Sequence, residues 1–238
     1  VSLSSAVAAG YNLKGTYNCP GEVQIGNRTF KNFDSKAVGR INLTTAIAIS
    51  CDSIWYQIAY DEWVRDGGLK PKASLNDYFF KTAQAFGVGK KTGVDLPSEI
   101  SGRLPNRDWK KSWYAANKDY FCNYESRAPK NQQSAYLKAL AKENCIDGDK
   151  VRAGDMVNFS IGQGDLLLTP LQLATIYTAI ANNGSLMKPE IARAIVTPKG
   201  KVVQQFAPQE TGKLPLEQNT LDFRSEEHTS ELQSRQYL

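Results

Sequence analysis

The sequence predicts an α/β fold of apolar helices and short antiparallel hairpins. Three observations predict it. Residues 42–68 hold two apolar helical stretches that meet at Ser50-Cys51-Asp52. Residues 169–184 hold the best-signalled helix, opened by Thr169-Pro170 and closed by Asn182-Asn183-Gly184. Short strand-like runs at 22–33 and 191–206 surround glycine turns, as hairpins do. With 238 residues, 41% of them apolar, the chain can bury one good-sized core.

Taken in order, Leu3 to Ala9 reads as the end of a helix stopped by Gly10. Tyr17 to Gly21 reads as a turn. Glu22 to Phe33 alternates around Gly26-Asn27 and predicts a short hairpin. Asn42 is a good N-cap for a helix carrying Leu43, Ala46, Ile47 and Ile49. A second helix carries Ile54, Trp55, Ile58, Ala59 and Trp63, a broad apolar stripe, and ends at Gly67-Gly68. A further helix is predicted from about Leu75 to Phe86, before a glycine-rich turn at 86–93. That turn lacks the spacing of a phosphate loop. Residues 103–150 read as a polar, aromatic and irregular excursion apart from a helix near 134–143, with Trp109 and Trp113 as packing anchors. Thr169 at N-cap, Pro170 at N1 and Gln172 at N3 form a capping box. Leu171, Leu173, Ala174, Ile176, Tyr177, Ile180 and Ala181 make that helix apolar on most faces, which predicts burial. Strands are predicted at 191–196 and 201–206, and a final helix begins near Leu214.

The composition excludes several chemistries. The net charge is +5 and the charges are spread, with no basic run interleaved with aromatics, so no nucleic-acid partner is expected. No apolar run is long enough to span a bilayer. Residues 224–234 read R-S-E-E-H-T-S-E-L-Q-S, the translation of a common sequencing adapter. Residues 224–238 are therefore expected to be a disordered library artefact, leaving one partial domain at 1–223. The single histidine, His228, falls in that tail. Without it, Ser-His-Asp and Cys-His sites and histidine-ligated zinc drop out, and acid–base chemistry falls to Lys, carboxylates, Tyr or Ser. The four cysteines form no CxxC pair, which disfavours zinc, and neither a cofactor nor a metal is expected. Cys122 and Cys145 bracket a polar stretch, which suggests a disulfide in an oxidising compartment; four free thiols is the other reading, and three full pairings are open.

Ser50 and Asp52 put a hydroxyl and a carboxylate two residues apart between apolar helices, where a polar pair must be hydrogen-bonded or used. On local chemistry alone, Ser50 is a helix-break hydroxyl and Asp52 caps the second helix.

Six segments in order add a resemblance: Y-N-C-P-G at 17–21, R-T-F-K-N-F at 28–33, S-C-D at 50–52 with Y-Q-I-A at 56–59, F-G-V-G-K-K-T-G-V-D-L-P-S-E at 86–99, S-I-G-Q-G-D at 160–165 and T-P-L-Q-L-A at 169–174. Together they resemble the transpeptidase domain of class B penicillin-binding proteins, most closely the elongation-type penicillin-binding protein 2 of actinobacteria. The resemblance implies a penicillin-binding protein/β-lactamase-like fold, truncated here to a helix-rich lobe plus part of an antiparallel sheet. It also implies an extracytoplasmic, membrane-anchored D,D-transpeptidase that cross-links peptidoglycan stem peptides, is acylated by β-lactams and works with a cell-elongation glycosyltransferase. Such sites combine S-x-x-K, S-x-N or S-x-D, and K-T-G. By resemblance Ser50 is the relay hydroxyl of the second element and Asp52 its third position. No S-x-x-K occurs near the start, since Ser2, Ser4 and Ser5 are followed three residues on by Ser5, Val7 and Ala8. The nucleophile and its lysine are expected upstream of Val1. Lys91-Thr92-Gly93 spells K-T-G but precedes D-L-P rather than following the T-P-L-Q-L-A helix, so it reads as a decoy, with the true motif beyond Phe223. A fragment with one of three elements is expected to be inactive. The rivals are a non-catalytic peptidoglycan-binding scaffold and a β-lactamase or β-lactam sensor on the same fold.

Overall fold

A computed structural model of the chain describes residues 1–225. The tail expected to be artefact lies outside the described residues, apart from Arg224 and Ser225, which continue the last helix.

Helix α1 (Ser2–Ala8) leads to β1 (Thr16–Cys19), β2 (Glu22–Ile25), β3 (Arg28–Lys31) and β4 (Gly39–Asn42). β2 and β3 form the predicted hairpin, with Ile25 opposite Arg28 across Gly26-Asn27. Gly26 has φ +60, which a two-residue hairpin turn requires. The turn predicted at 17–21 is shorter than expected. Tyr17, Asn18 and Cys19 pair with β4 as strand, and only Pro20-Gly21 turns the chain.

Helix α2 (Leu43–Ala48) starts where Asn42 Oδ1 accepts from the Thr45 N–H at 2.8 Å. Helix α3 (Asp52–Arg65) is the axis of the molecule. Its buried residues include Ile54, Trp55, Ile58, Ala59 and Glu62, the i, i+1, i+4, i+5, i+8 stripe of a helix set into a core. It packs on α8 (Ala153–Ser160). The core is filled by Leu43, Ile58, Phe79 and Met156, with Phe80 against Phe159 at 5.1 Å.

Helix α4 (Tyr78–Ala85) begins three residues later than the pattern predicts. The cause is Asp66, whose carboxylate accepts from the N–H groups of Asn76 and Asp77 at 3.0 and 2.8 Å. Those bonds hold Asp77 at φ +43, outside the helix. Burial pushes the neighbouring Glu62 carboxyl up to about 7.

The excursion is not irregular. It contains α5 (Arg107–Cys122), α6 (Tyr124–Arg127), a 3-10 turn at Lys130–Gln132 and α7 (Ala135–Asp147). Asn106 caps α5 by accepting from the Trp109 N–H, and Trp109 stacks on Trp113 at 5.8 Å as packing anchors do. Trp109, Lys110, Trp113, Tyr114, Asn117 and Phe121 form its inward stripe at helical spacing, with charged residues opposite, and only Lys110 is fully buried on it. Lys110 lies 3.2 Å from Asp155 and 3.5 Å from Asp165, so the excursion is ion-paired to the main body. The Cys122–Cys145 disulfide closes the α5–α7 hairpin.

Helix α9 (Pro170–Ala181) has the predicted capping box, but it is only half buried. Ile176, Ala179 and Ile180 face the core, whereas Leu173 and Tyr177 line a groove with Val1 and Arg224. β5 (Ser185–Met187) pairs with β8 (Glu210–Lys213), and β6 (Ala194–Val196) with β7 (Val202–Gln205), before α10 (Gln218–Ser225). The described strands thus form four two-stranded antiparallel sheets. Among the described residues, no helix is long and apolar enough to cross a membrane.

Candidate functional site

Ser50 occupies an unusual place. The Cys51 N–H donates to Ala46 O at 2.8 Å, and the Ser50 N–H donates to Ile47 O at 3.3 Å. These are the paired bonds of a Schellman ending for α2, and they put Ser50 at the position that glycine normally fills. Its φ is +54, a left-handed conformation costing a non-glycine residue roughly 1 kcal/mol. The residue is exposed, at the edge of a depression of about 350 Å³ lined also by Phe33, Lys36 and Ile49. Ser35, Ser98 and Asn183 are likewise exposed at positive φ, so what sets Ser50 apart is its place in the S-C-D motif beside a rigidly held turn.

Three things hold the turn rigid. Cys51 is bonded to Cys19, a disulfide that ties the start of α3 to the end of β1. Ser53 Oγ donates to Pro20 O at 2.8 Å and lies 3.3 Å from Cys51 Sγ. The Ser53 N–H donates to Asn32 Oδ1 at 2.8 Å. Asn32 is itself buried, and its Nδ2 donates to Pro20 O at 2.8 Å and Lys36 O at 3.2 Å. A side chain twenty-one residues upstream therefore caps α3. The reading of Asp52 as N-cap is corrected: Cys51 is the cap residue and Asp52 opens the first turn. Asp52 is half-buried, and burial raises its carboxyl above the usual 3.8. One turn on, burial and then the charge of Asp52 push Tyr56 up to about 12.

Sequence reasoning put Ser50 and Asp52 at this junction but missed the Cys19–Cys51 bond and Asn32. The only signal for Asn32 was its place in R-T-F-K-N-F, since contacts between segments leave no local pattern.

Lys91-Thr92-Gly93 follows the turn at 86–89 in irregular backbone, not on a strand. The donors of Thr92 and Gly93 are already taken: the Thr92 N–H and hydroxyl donate to Glu99 Oε1 at 2.6 and 2.7 Å, and the Gly93 N–H to Glu99 Oε2 at 3.0 Å. Those bonds, with the Thr92 hydroxyl first, hold the Glu99 carboxyl below its usual value. The S-I-G-Q-G-D segment forms the turn after α8, where Ser160 O accepts from Ser2 Oγ at 2.5 Å. Gln172, at N3 of α9, reaches across to donate to Lys90 O and Ser101 O, each at 2.6 Å, and so joins the 169–174 segment of the resemblance to the 86–99 segment and the residues just after it.

Comparison with known proteins agrees with this geometry. The profile of the penicillin-binding protein transpeptidase domain matches residues 1–223. The peptidoglycan D,D-transpeptidase MrdA of Acinetobacter baumannii is 29% identical over 180 residues, 76% of this chain and 20% of MrdA. Among solved structures, penicillin-binding protein 2 in its complex with MreC from Helicobacter pylori superposes with a TM-score of 0.60 at 21% identity, over 94% of this chain and 32% of that one. Penicillin-binding protein A of Mycobacterium tuberculosis, as a ceftriaxone acyl-enzyme, gives 0.62 at 17% identity, over 97% and 41%. These two likenesses establish the fold. The chain spans about a fifth of the length of the MrdA relative.

Proposed function

Because the chain belongs to the penicillin-binding protein transpeptidase domain family, we propose that it is part of an elongation-type peptidoglycan D,D-transpeptidase. The parent protein cross-links stem peptides through a serine acyl-enzyme and is acylated by β-lactams. It works on the outer side of a membrane that anchors it, beside a glycosyltransferase partner. The observation that carries the reading is Ser50: a strained, exposed hydroxyl fixed by a disulfide and by Asn32, inside the S-C-D motif.

In this reading the acylating serine and its lysine precede Val1. A serine hydroxyl is a weak nucleophile until a base stands beside it. Ser50 carries the proton between that lysine and the departing amine. Asp52, at the start of α3, sets the electrostatics of the relay. Lys91-Thr92-Gly93 takes no part, because Glu99 occupies the donors a substrate carboxylate would need.

The test is fluorescent-penicillin labelling of the intact gene product. One serine upstream of Val1 should be labelled, and Ser50→Ala should slow acylation on the order of 10²-fold, the scale of a proton-transfer group. An unchanged rate would remove Ser50 from the mechanism. An intact product that takes no label would favour the scaffold reading, and rapid loss of label a β-lactamase. The chain of residues 1–238 alone should take no label, so a stoichiometrically labelled serine within residues 1–223 would overturn the assignment of the nucleophile.

A further inference from the structure

Away from the S-C-D turn, the far end of α3 carries a second cluster. Glu62 and Asp66 lie one turn apart on α3, and Asp77 stands just before α4. One carboxylate oxygen from each lies within 4.8 Å of the others. Glu62 is 1% exposed, and its Oε2 has no hydrogen-bond partner among the described residues. Asp77 sits at φ +43, held there by the bonds that the Asn76 and Asp77 N–H groups donate to Asp66.

We propose that Glu62, Asp66 and Asp77 form a site for a hard divalent cation, with Ca²⁺ the best match, that pins the end of α3 to the start of α4. The ligand set is all oxygen, which selects a hard cation over zinc or copper. The charge count points the same way. Three carboxylates face one bound guanidinium, Arg107, whose Nε lies 3.0 Å from Asp77 Oδ1. Lys81, whose Nζ donates to Leu75 O at 2.8 Å, adds a second positive charge near Asp77. The N–H groups of Asn76, Asp77 and Phe79 give Asp66 and Glu62 partial relief. The cluster still carries net negative charge, and buried charge must be neutralised. A bound cation supplies that charge. Ca²⁺ accepts irregular oxygen sets, whereas Mg²⁺ demands near-octahedral geometry and keeps several waters, so a cluster of three carboxylates from two elements suits Ca²⁺ better. The free Oε2 of Glu62 then gains the partner it lacks. This inference is independent of the function proposed above.

The experiment uses the 238-residue chain, stripped with EDTA and dialysed at pH 7.5, titrated with CaCl₂ and with MgCl₂. Calorimetry should show one Ca²⁺ site. The melting temperature should rise by about 3–5 °C at ten times the dissociation constant. Glu62→Gln keeps the shape and the acceptor for the Phe79 N–H, and it should lower Ca²⁺ affinity at least ten-fold. If that variant does not fold, terbium luminescence sensitised by tryptophan in the unmodified chain reads the site directly: one saturable equivalent displaced by Ca²⁺ supports it. No heat, no thermal shift and no displaceable terbium would overturn the proposal and leave a proton on Glu62 as the neutralising species. An equal Ca²⁺ shift in Glu62→Gln would also overturn it.

Discussion

Ser50 shows how a single residue can set fold and function against each other. It fills the left-handed ending of α2, where glycine has no Cβ to strain. Ser50→Gly should therefore stabilise the chain by only a few tenths of a kcal/mol, because relief of about 1 kcal/mol of left-handed strain is largely offset by the added freedom of the unfolded glycine. Urea denaturation checks this, and a loss of stability would mean that the hydroxyl is a structural tie. If Ser50 is the relay proposed above, the same change removes its hydroxyl, a trade-off typical of strained functional positions. Asn32 works in the opposite sense. Asn32→Ala strips the Ser53 N–H, Pro20 O and Lys36 O of a buried partner, at a cost of about 2–3 kcal/mol. Amide exchange should then accelerate at residues 51–53 before it does elsewhere. Asp52 adds a pH dependence. Burial raises its folded pKa, so the folded state holds the proton more tightly. Its contribution to stability is complete below 3.8, the unfolded value, and is lost as pH rises through the higher folded value. Asp52→Asn should flatten that part of the stability–pH curve, and a slope identical to that of the unmodified chain would contradict the assignment.

At the level of elements, the signals that were legible were those written locally. The Gly26-Asn27 hairpin, the Asn42 cap and the Thr169-Pro170-Gln172 capping box each depend on residues within four positions of one another, and each formed as expected. What failed was written across the chain. In helix α5 the helical spacing of Trp109, Trp113, Tyr114 and Phe121 was legible, but the pairing of Lys110 with Asp155 and Asp165 that holds the helix to the main body was not. The start of α4 is set by Asp66, eleven residues before Asp77. Gln172 belongs to both classes. As a cap it was legible, but its bonds to Lys90 O and Ser101 O were not. The two roles can be separated. Thr169→Ala removes one cap bond and should cost about 1 kcal/mol. Gln172→Ala also removes the donor to two part-buried carbonyls and should cost about 2 kcal/mol. Equal effects in thermal melts would show that the cross-chain bonds contribute little.

Across the whole molecule, helices meet in one core while the described strands stay in pairs. The S-C-D turn could be named from sequence as a site because its motif is contiguous, but its rigidity comes from Cys19 and Asn32, which reach it only through the fold. The isolated pairs have a further consequence. A two-stranded ribbon is marginal in water unless one face is covered. In β6 and β7, residues Ile195, Val196, Val202 and Val203 are all exposed, with Val203 at 66%. Unpaired apolar strand edges are templates for association. The chain should therefore self-associate with rising concentration, and Val203→Lys, which puts a charge on this ribbon without touching the core, should shift it toward monomer. Light scattering coupled to size exclusion reads this directly. A monomer at all concentrations would show that the ribbon is protected in solution; association unchanged by Val203→Lys would place the sticky surface elsewhere, with Leu173 and Tyr177 on the open face of α9 the next to substitute.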